Sequence, residues 1–220
     1  VKHPRTVGLA CKVLAEEVSK AVGAGHTCVT LGGDHSLAFG SITGHAQQCP
    51  DLCVIWVDAH ADINTPLTTP SGNLHGQPVS FLLRELQDKV PPIPGFSWAK
   101  PCLSKSDIVY IGLRDLDPAE QYTKYFKAFF PEQGRYFILF YFFAYYRRDR
   151  PIHLSFDIDA FDPALAPATG TPVIGGLTYR EGVYITEEIH NTGMLSALDL
   201  VEVNPVLAAT SEEVKATANL

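Results

Sequence analysis

Three stretches of the chain carry acids and imidazoles at spacings that suit metal chemistry. They are Gly32-Gly33-Asp34-His35, Asp58-Ala59-His60-Ala61-Asp62-Ile63-Asn64 and Asp157-Ile158-Asp159. Each follows a short apolar run. In an extended chain residues i, i+2 and i+4 point the same way, so Asp58, His60 and Asp62 are expected to converge, as are Asp157 and Asp159. With His35 they make a set of four carboxylates and two imidazoles. Gathering four carboxylates costs on the order of several kcal/mol unless cations neutralise them, and two divalent metals do so. An oxygen-rich set with a little imidazole and no thiolate suits Mn²⁺ ahead of Mg²⁺ or Fe²⁺, and the lack of a nearby cysteine argues against tetrahedral structural zinc. Two such ions ~3.5–4 Å apart hold a bridging water and lower its pKa, giving a hydroxide nucleophile near neutral pH. Each stretch alone has a plainer use. An Asp-x-Asp is often a solvated turn, and a His after Gly-Gly-Asp is as often a capping residue. All three at successive strand ends favour the metal reading.

The elements that must position these groups are legible from periodicity. Residues Thr6 to Ala24 carry Val7, Ala10, Cys11, Leu14, Val18 and Ala21 at helical spacing, and Gly23 and Gly25 end the run. Short apolar strands are expected at Cys28–Leu31, Cys53–Val57, Ile108–Ile111, Ile152–Phe156 and within Leu195–Val203. Thr178-Tyr-Arg-Glu181 is a capping box that opens a helix to about His190, and Thr210-Ser-Glu-Glu213 caps another near the end. Apolar strands alternating with helices predict an α/β fold with a parallel sheet. Such sheets place their sites at the carboxyl ends of the strands, where the three motifs fall.

A length of 220 residues fits one domain, and 46% hydrophobic with 19% charged residues excludes disorder. The net charge of −7 argues against a nucleic-acid surface. No apolar run reaches the ~18 residues of a membrane span. The cysteines are Cys11, Cys28, Cys49, Cys53 and Cys102, an odd number without a CxxC pair. That pattern predicts reduced, mostly buried thiols. Val1 in place of a start methionine reads as a fragment. One segment stands apart: 121–150 holds thirteen of the twenty-one Phe and Tyr residues, with no clean helical or strand period.

The motifs Gly32–His35, Asp58–Asp62 and Ser155-Phe-Asp-Ile-Asp159 resemble the three metal motifs of the ureohydrolases. Ser71-Gly-Asn-Leu-His75-Gly-Gln-Pro-Val-Ser-Phe-Leu-Leu and Thr169-Gly-Thr171-Pro-Val-Ile-Gly-Gly-Leu-Thr-Tyr-Arg-Glu are similar to arginase, above all to the type II mitochondrial form of vertebrates. The resemblance covers 1–120 and 150–220. It implies a three-layer α/β/α fold of the arginase/deacetylase type, and hydrolysis of L-arginine to L-ornithine and urea with two Mn²⁺ per subunit. It further implies a homotrimer in the mitochondrial matrix, with the cytoplasm as alternative. His35, Asp58, His60, Asp62, Asp157 and Asp159 fall at its metal ligands, and Asp62 also takes the proton of the attacking hydroxide. His75 resembles its proton shuttle to the leaving amine, and Glu202 the carboxylate that pairs with the guanidinium. Asn64 and Ser71 resemble residues that hold the substrate carboxylate. Asp117 and Glu120 resemble those near its α-amino group, and Thr171 one lining the guanidinium end.

Against that pattern the chain lacks a first strand and the glycine-rich stretch after it, and it stops at Leu220, so truncation at both ends is expected. The 121–150 segment stands where a strand and an amphipathic helix are expected. Thirteen rings exceed what one connecting helix can bury, which predicts an exposed apolar patch, aggregation and little activity. The alternatives are an agmatinase or other guanidino hydrolase, and a catalytically inactive truncated product. Asn64 and Ser71 favour an amino-acid substrate, because they supply partners for a carboxylate.

Overall fold

The computed structural model describes residues 1–98, 100–121 and 149–220. Five strands form a parallel sheet: β1 (Cys28–Leu31), β2 (Cys53–Val57), β3 (Ile108–Ile111), β4 (Ile152–Asp157) and β5 (Leu195–Val201), in the order β1-β5-β4-β2-β3. The helices are α1 (Pro4–Gly23), α2 (Ala38–Gln48), α3 (Pro78–Leu82), α4 (Pro118–Gln121), α5 (Tyr179–Asn191) and α6 (Ser211–Ala218). All five expected strands form, within a residue or two of their expected bounds. Helix α2 was not foreseen, because Gly40, Ser41, Thr43 and Gly44 break its apolar stripe. Most of the aromatic segment lies outside the described residues.

The sheet is covered on both faces, so its central strands read as continuous apolar runs. Strand β2 is buried at every position. Cys53, Ile55 and Val57 join Ile185 and Ile189 of α5 in one core, while Val54 and Trp56 join Cys11 of α1, Phe39 and Ile42 of α2, and Val79 of α3 in the other. Alternation along one strand therefore feeds two cores and gives three layers. Helices α1 and α2 cross so closely that a Cβ on Gly40 would stand 2.5 Å from the Cys11 carbonyl oxygen, and one on Gly44 would stand 2.3 Å from that of Ala15. The residues that hid α2 from the periodicity are the ones that let it pack.

The ladder order decides the site. Strand β4 pairs with both β2 and β5, with Val57 opposite Phe156 and Asp157 opposite Val201. The carboxyl ends of β2, β4 and β5 therefore emerge side by side. Among the described residues no helix is long and apolar enough to cross a membrane. The five cysteines are free thiols; Cys11 and Cys53 are buried and the others half-buried.

Candidate metal centre

Two groups of ligand atoms form at the ends of β2 and β4, with His35 reaching in from just beyond β1. His35, Asp58 and Asp157 make one, and Asp58, His60 and Asp159 the other, each set of atoms lying within 4.8 Å of one another. Asp58 belongs to both. Its Oδ2 lies 2.9 Å from His35 Nδ1 and its Oδ1 lies 3.4 Å from His60 Nδ1. Asp62 Oδ2 comes within 3.3 Å of His35 Nδ1 and Asp157 Oδ2 within 3.2 Å, while Asp159 Oδ2 sits 3.1 Å from His60 Nδ1. The six expected ligands are thus brought together, but not by simple alternation. The chain leaves the ladder after Val57, Asp62 takes a left-handed φ of 50°, and Asp159 lies in the short 3₁₀ turn Ile158–Ala160. As a result Asp157 and Asp159, expected to point together, serve different groups.

The donor set requires positive charge. Burial and the Asp58 charge hold the Asp62 and Asp157 carboxyls well above the ordinary carboxylate range. Burial opposes charge on His60, yet Asp159 and Asp58 push its imidazole up to about 11. Protons therefore do the neutralising that cations would do, and binding a divalent ion must release them. His35 adds a geometric sign. It is fully buried, and its Nδ1 makes no hydrogen bond although three carboxylate oxygens stand within 3.3 Å. A buried ring nitrogen aimed at three carboxylate oxygens, with no single hydrogen-bond partner, fits a metal ligand.

A cavity of about 270 Å³ opens over the cluster, and its walls include His60, Asp62, Asn64, Ser71, His75, Asp117, Glu120, Asp157 and Thr171. His35, Asp58 and Asp159 lie beneath its floor, almost completely buried. Asn64 Nδ2 donates to Asp117 Oδ2 at 2.7 Å, and Thr171 Oγ1 donates to Asp159 Oδ2 at 3.1 Å. Glu120 is committed to the backbone: Oε1 accepts Ile63 N–H at 3.1 Å and Oε2 accepts Asp117 N–H at 2.9 Å. It ties the two cavity loops together, so of Asp117 and Glu120 it is Asp117 that is left to face a ligand. Glu202 stands beside the cavity, with a left-handed φ of 65° and Oε1 accepting His35 N–H at 2.8 Å. The same oxygen lies 3.5 Å from His75 Nδ1 and holds that imidazole above its ordinary value.

Several contributors escaped the sequence reading. Trp56 stacks on His35 with ring centres 4.0 Å apart, and its Nε1–H donates to Asp58 Oδ2 at 2.9 Å. Arg114 reaches the backbone carbonyls of Gly112, Asp159, Ala160, Phe161 and Val173 at 2.6–3.2 Å. His153, Ser155 and Asp199 are buried polar groups inside strands β4 and β5. Their signal was present, since a His, a Ser and an Asp interrupt runs that are otherwise apolar. Thr69, Pro70, Asn73, Gly76 and Asp115 complete the cavity wall. As turn and loop residues they carry no spacing signal.

A parallel α/β sheet with two cation-ready groups sharing one carboxylate at its strand ends defines the class as an α/β metal-site protein. The comparisons narrow it. The family model described as "Arginase family" matches residues 1–220. The chain is 86% identical over 229 residues to "Arginase, non-hepatic 1" of Xenopus laevis, and the match takes in 100% of this chain and 64% of that protein. It is 68% identical over 233 residues to "Arginase-2, mitochondrial" of Homo sapiens, covering 100% of this chain and 65% of that protein. The solved structure of Entamoeba histolytica arginase in complex with L-ornithine matches with a TM-score of 0.85 at 30% identity, over 96% of this chain and 74% of that one. The chain belongs to the arginase family. It spans about 64–65% of the length of these two sequence relatives.

Proposed function

We propose that this protein hydrolyses L-arginine to L-ornithine and urea at a pair of Mn²⁺ ions, as a mitochondrial matrix enzyme that assembles as a homotrimer. The observation that carries the chemistry is the pair of ligand groups joined by Asp58 beneath a polar cavity. His35, Asp58, Asp62 and Asp157 would hold one ion, with Asp58, His60 and Asp159 around the other. Bound there, the two ions supply a water acidified to near neutral pH and Lewis-acid stabilisation of developing charge.

The chain's own groups supply the rest. Both contacts of Glu202 to protein groups use Oε1. Its Oε2 is then the oxygen available to a guanidinium N–H. Asn64 and Ser71 offer donors to the substrate carboxylate, Asp117 faces its ammonium, and Thr171 lines the guanidinium end. As water adds to the guanidinium carbon, Asp62 accepts its proton. The bond to the δ-nitrogen breaks as that nitrogen takes a proton, which His75 is placed at the cavity wall to relay. Ornithine and urea leave.

The test is urea release from L-arginine and from agmatine by the purified chain, with and without Mn²⁺, beside its metal content. The expected result is about two Mn²⁺ per chain and faster turnover of arginine. Equal or faster turnover of agmatine would reassign the substrate, and metal-independent release would remove the mechanism.

A further inference from the structure

Behind the cation groups a line of buried polar side chains crosses from the sheet to α2, and beyond His35 the proposed chemistry uses none of it. His35 Nε2, the ring nitrogen facing away from the carboxylates, lies 2.9 Å from Ser155 Oγ. Ser155 Oγ donates onward to Asp199 Oδ2 at 3.3 Å. That same oxygen receives Ser41 Oγ at 2.7 Å and His153 Nε2 at 2.8 Å. His153 Nδ1 meets His45 Nδ1 at 3.1 Å, and His45 Nε2 meets Ser196 Oγ at 2.8 Å. Asp199, His45, His153 and Ser155 are all completely buried.

The proton arrangement follows from the chemistry of each group. A carboxylate only accepts, so Ser155 spends its one hydroxyl proton on Asp199. Toward His35 the hydroxyl then presents a lone pair, and Nε2 must carry the proton. In the neutral imidazole that metal ligation requires, Nδ1 is then the lone-pair nitrogen, aimed at Asp58, Asp62 and Asp157. Burial alone would push the Asp199 carboxyl up, yet the His153 charge and the hydrogen bonds from His153 and Ser41 hold it below its ordinary value. It therefore remains an acceptor across the neutral range. Register completes the picture, because Ser155 and Asp199 are direct partners on β4 and β5.

We propose that Asp199 is a positioning residue for the metal centre: through the Ser155 hydroxyl it fixes the His35 ring with its proton on Nε2 and its bare Nδ1 toward the carboxylates, and so sets the affinity for a divalent cation. This rests on the metal reading above but not on the choice of substrate. Losing such an outer partner typically weakens metal binding roughly 10–100-fold.

The test is a double-mutant cycle on the full chain with Mn²⁺ as the probe, using Ser155→Ala, Asp199→Asn and the pair. Mn²⁺ dissociation constants come from equilibrium dialysis, and the Mn²⁺ EPR spectrum reports coupling between the two ions. Each single variant is expected to weaken Mn²⁺ binding roughly 10–100-fold. The pair should be little worse than Ser155→Ala alone, because Asp199 acts through that hydroxyl. A merely structural Asp199 would give additive losses and overturn the proposal. So would a Ser155→Ala chain with unchanged Mn²⁺ affinity, which decides the matter even if Asp199→Asn fails to fold. A wild-type chain that takes up no Mn²⁺ removes both this inference and the proposed function. One that binds Mn²⁺ but releases no urea from arginine removes only the substrate assignment.

Discussion

Replacing Arg114 with alanine is expected to destabilise the metal-free chain by about 3–5 kcal/mol. The guanidinium reaches five carbonyls on three loops: Gly112 after β3, Asp159, Ala160 and Phe161 after β4, and Val173 beyond them. A buried carbonyl left unpaired costs about 1–3 kcal/mol. Arg114 is half-buried, so water can reach some of the five and the lower end applies to each. The Ala160 carbonyl also accepts Leu177 N–H at 2.8 Å, so four carbonyls depend on Arg114. Arg114→Lys keeps the charge but has three N–H donors in place of five, so at least one of these goes unpaired and the loss should be about 1 kcal/mol. Urea denaturation of the wild type and both variants without metal measures the difference. A second reading follows from the anchoring of Asp159. With its carbonyl released, the His60 group should loosen, and Mn²⁺ stoichiometry in the alanine variant should fall below that of the lysine variant. An alanine variant within 1 kcal/mol of wild type on that scale would refute the account, as would a lysine variant as stable as wild type.

Three further outcomes are expected. His60→Ala or Asp157→Ala should each empty one cation group, and retention of two Mn²⁺ with full turnover would disprove the ligand assignment. His75→Asn should leave Mn²⁺ content unchanged and lower kcat by something like 10²–10⁴, the usual contribution of a general acid, with metal loss pointing to a direct ligand role instead. Burial and the His153 charge lower the His45 pKa to about 3 from an ordinary 6.5. The unfolded chain therefore takes up the proton first, so His45's contribution to stability is complete above pH 6.5 and is lost as pH falls toward 3, at about 1.4 kcal/mol per unit. Denaturation series from pH 7 to 4 on wild type and His45→Gln should show a shallower loss in the variant, and parallel curves would contradict this.

The residue pattern alone determined a good deal of this protein. The apolar runs at Cys53–Val57, Ile108–Ile111 and Ile152–Phe156 specify strands because both faces of a parallel sheet are covered and no polar alternation is needed. The capping box at Thr178 and Glu181 marks the start of α5 through purely local hydrogen bonds. The six candidate ligands were legible because carboxylates and imidazoles at successive strand ends have few uses other than holding cations. Tertiary structure decided how those ligands divide. Placing β4 between β2 and β5 brings the motifs together, and the 3₁₀ turn Ile158–Ala160 sends Asp157 and Asp159 to different groups that share Asp58. It also gave α2 its place, since Gly40 and Gly44 read as helix breakers until α1 lies across them. Arg114, Trp56 and the partners of the Ser155–Asp199 line, though not its polar interruptions of apolar strands, were beyond sequence reasoning for the same physical reason. Apart from Asp58 beside Trp56 and Gly112 beside Arg114, their partners are carbonyls, rings and polar side chains distant along the chain, and only folding brings a donor to an acceptor that sequence spacing does not encode.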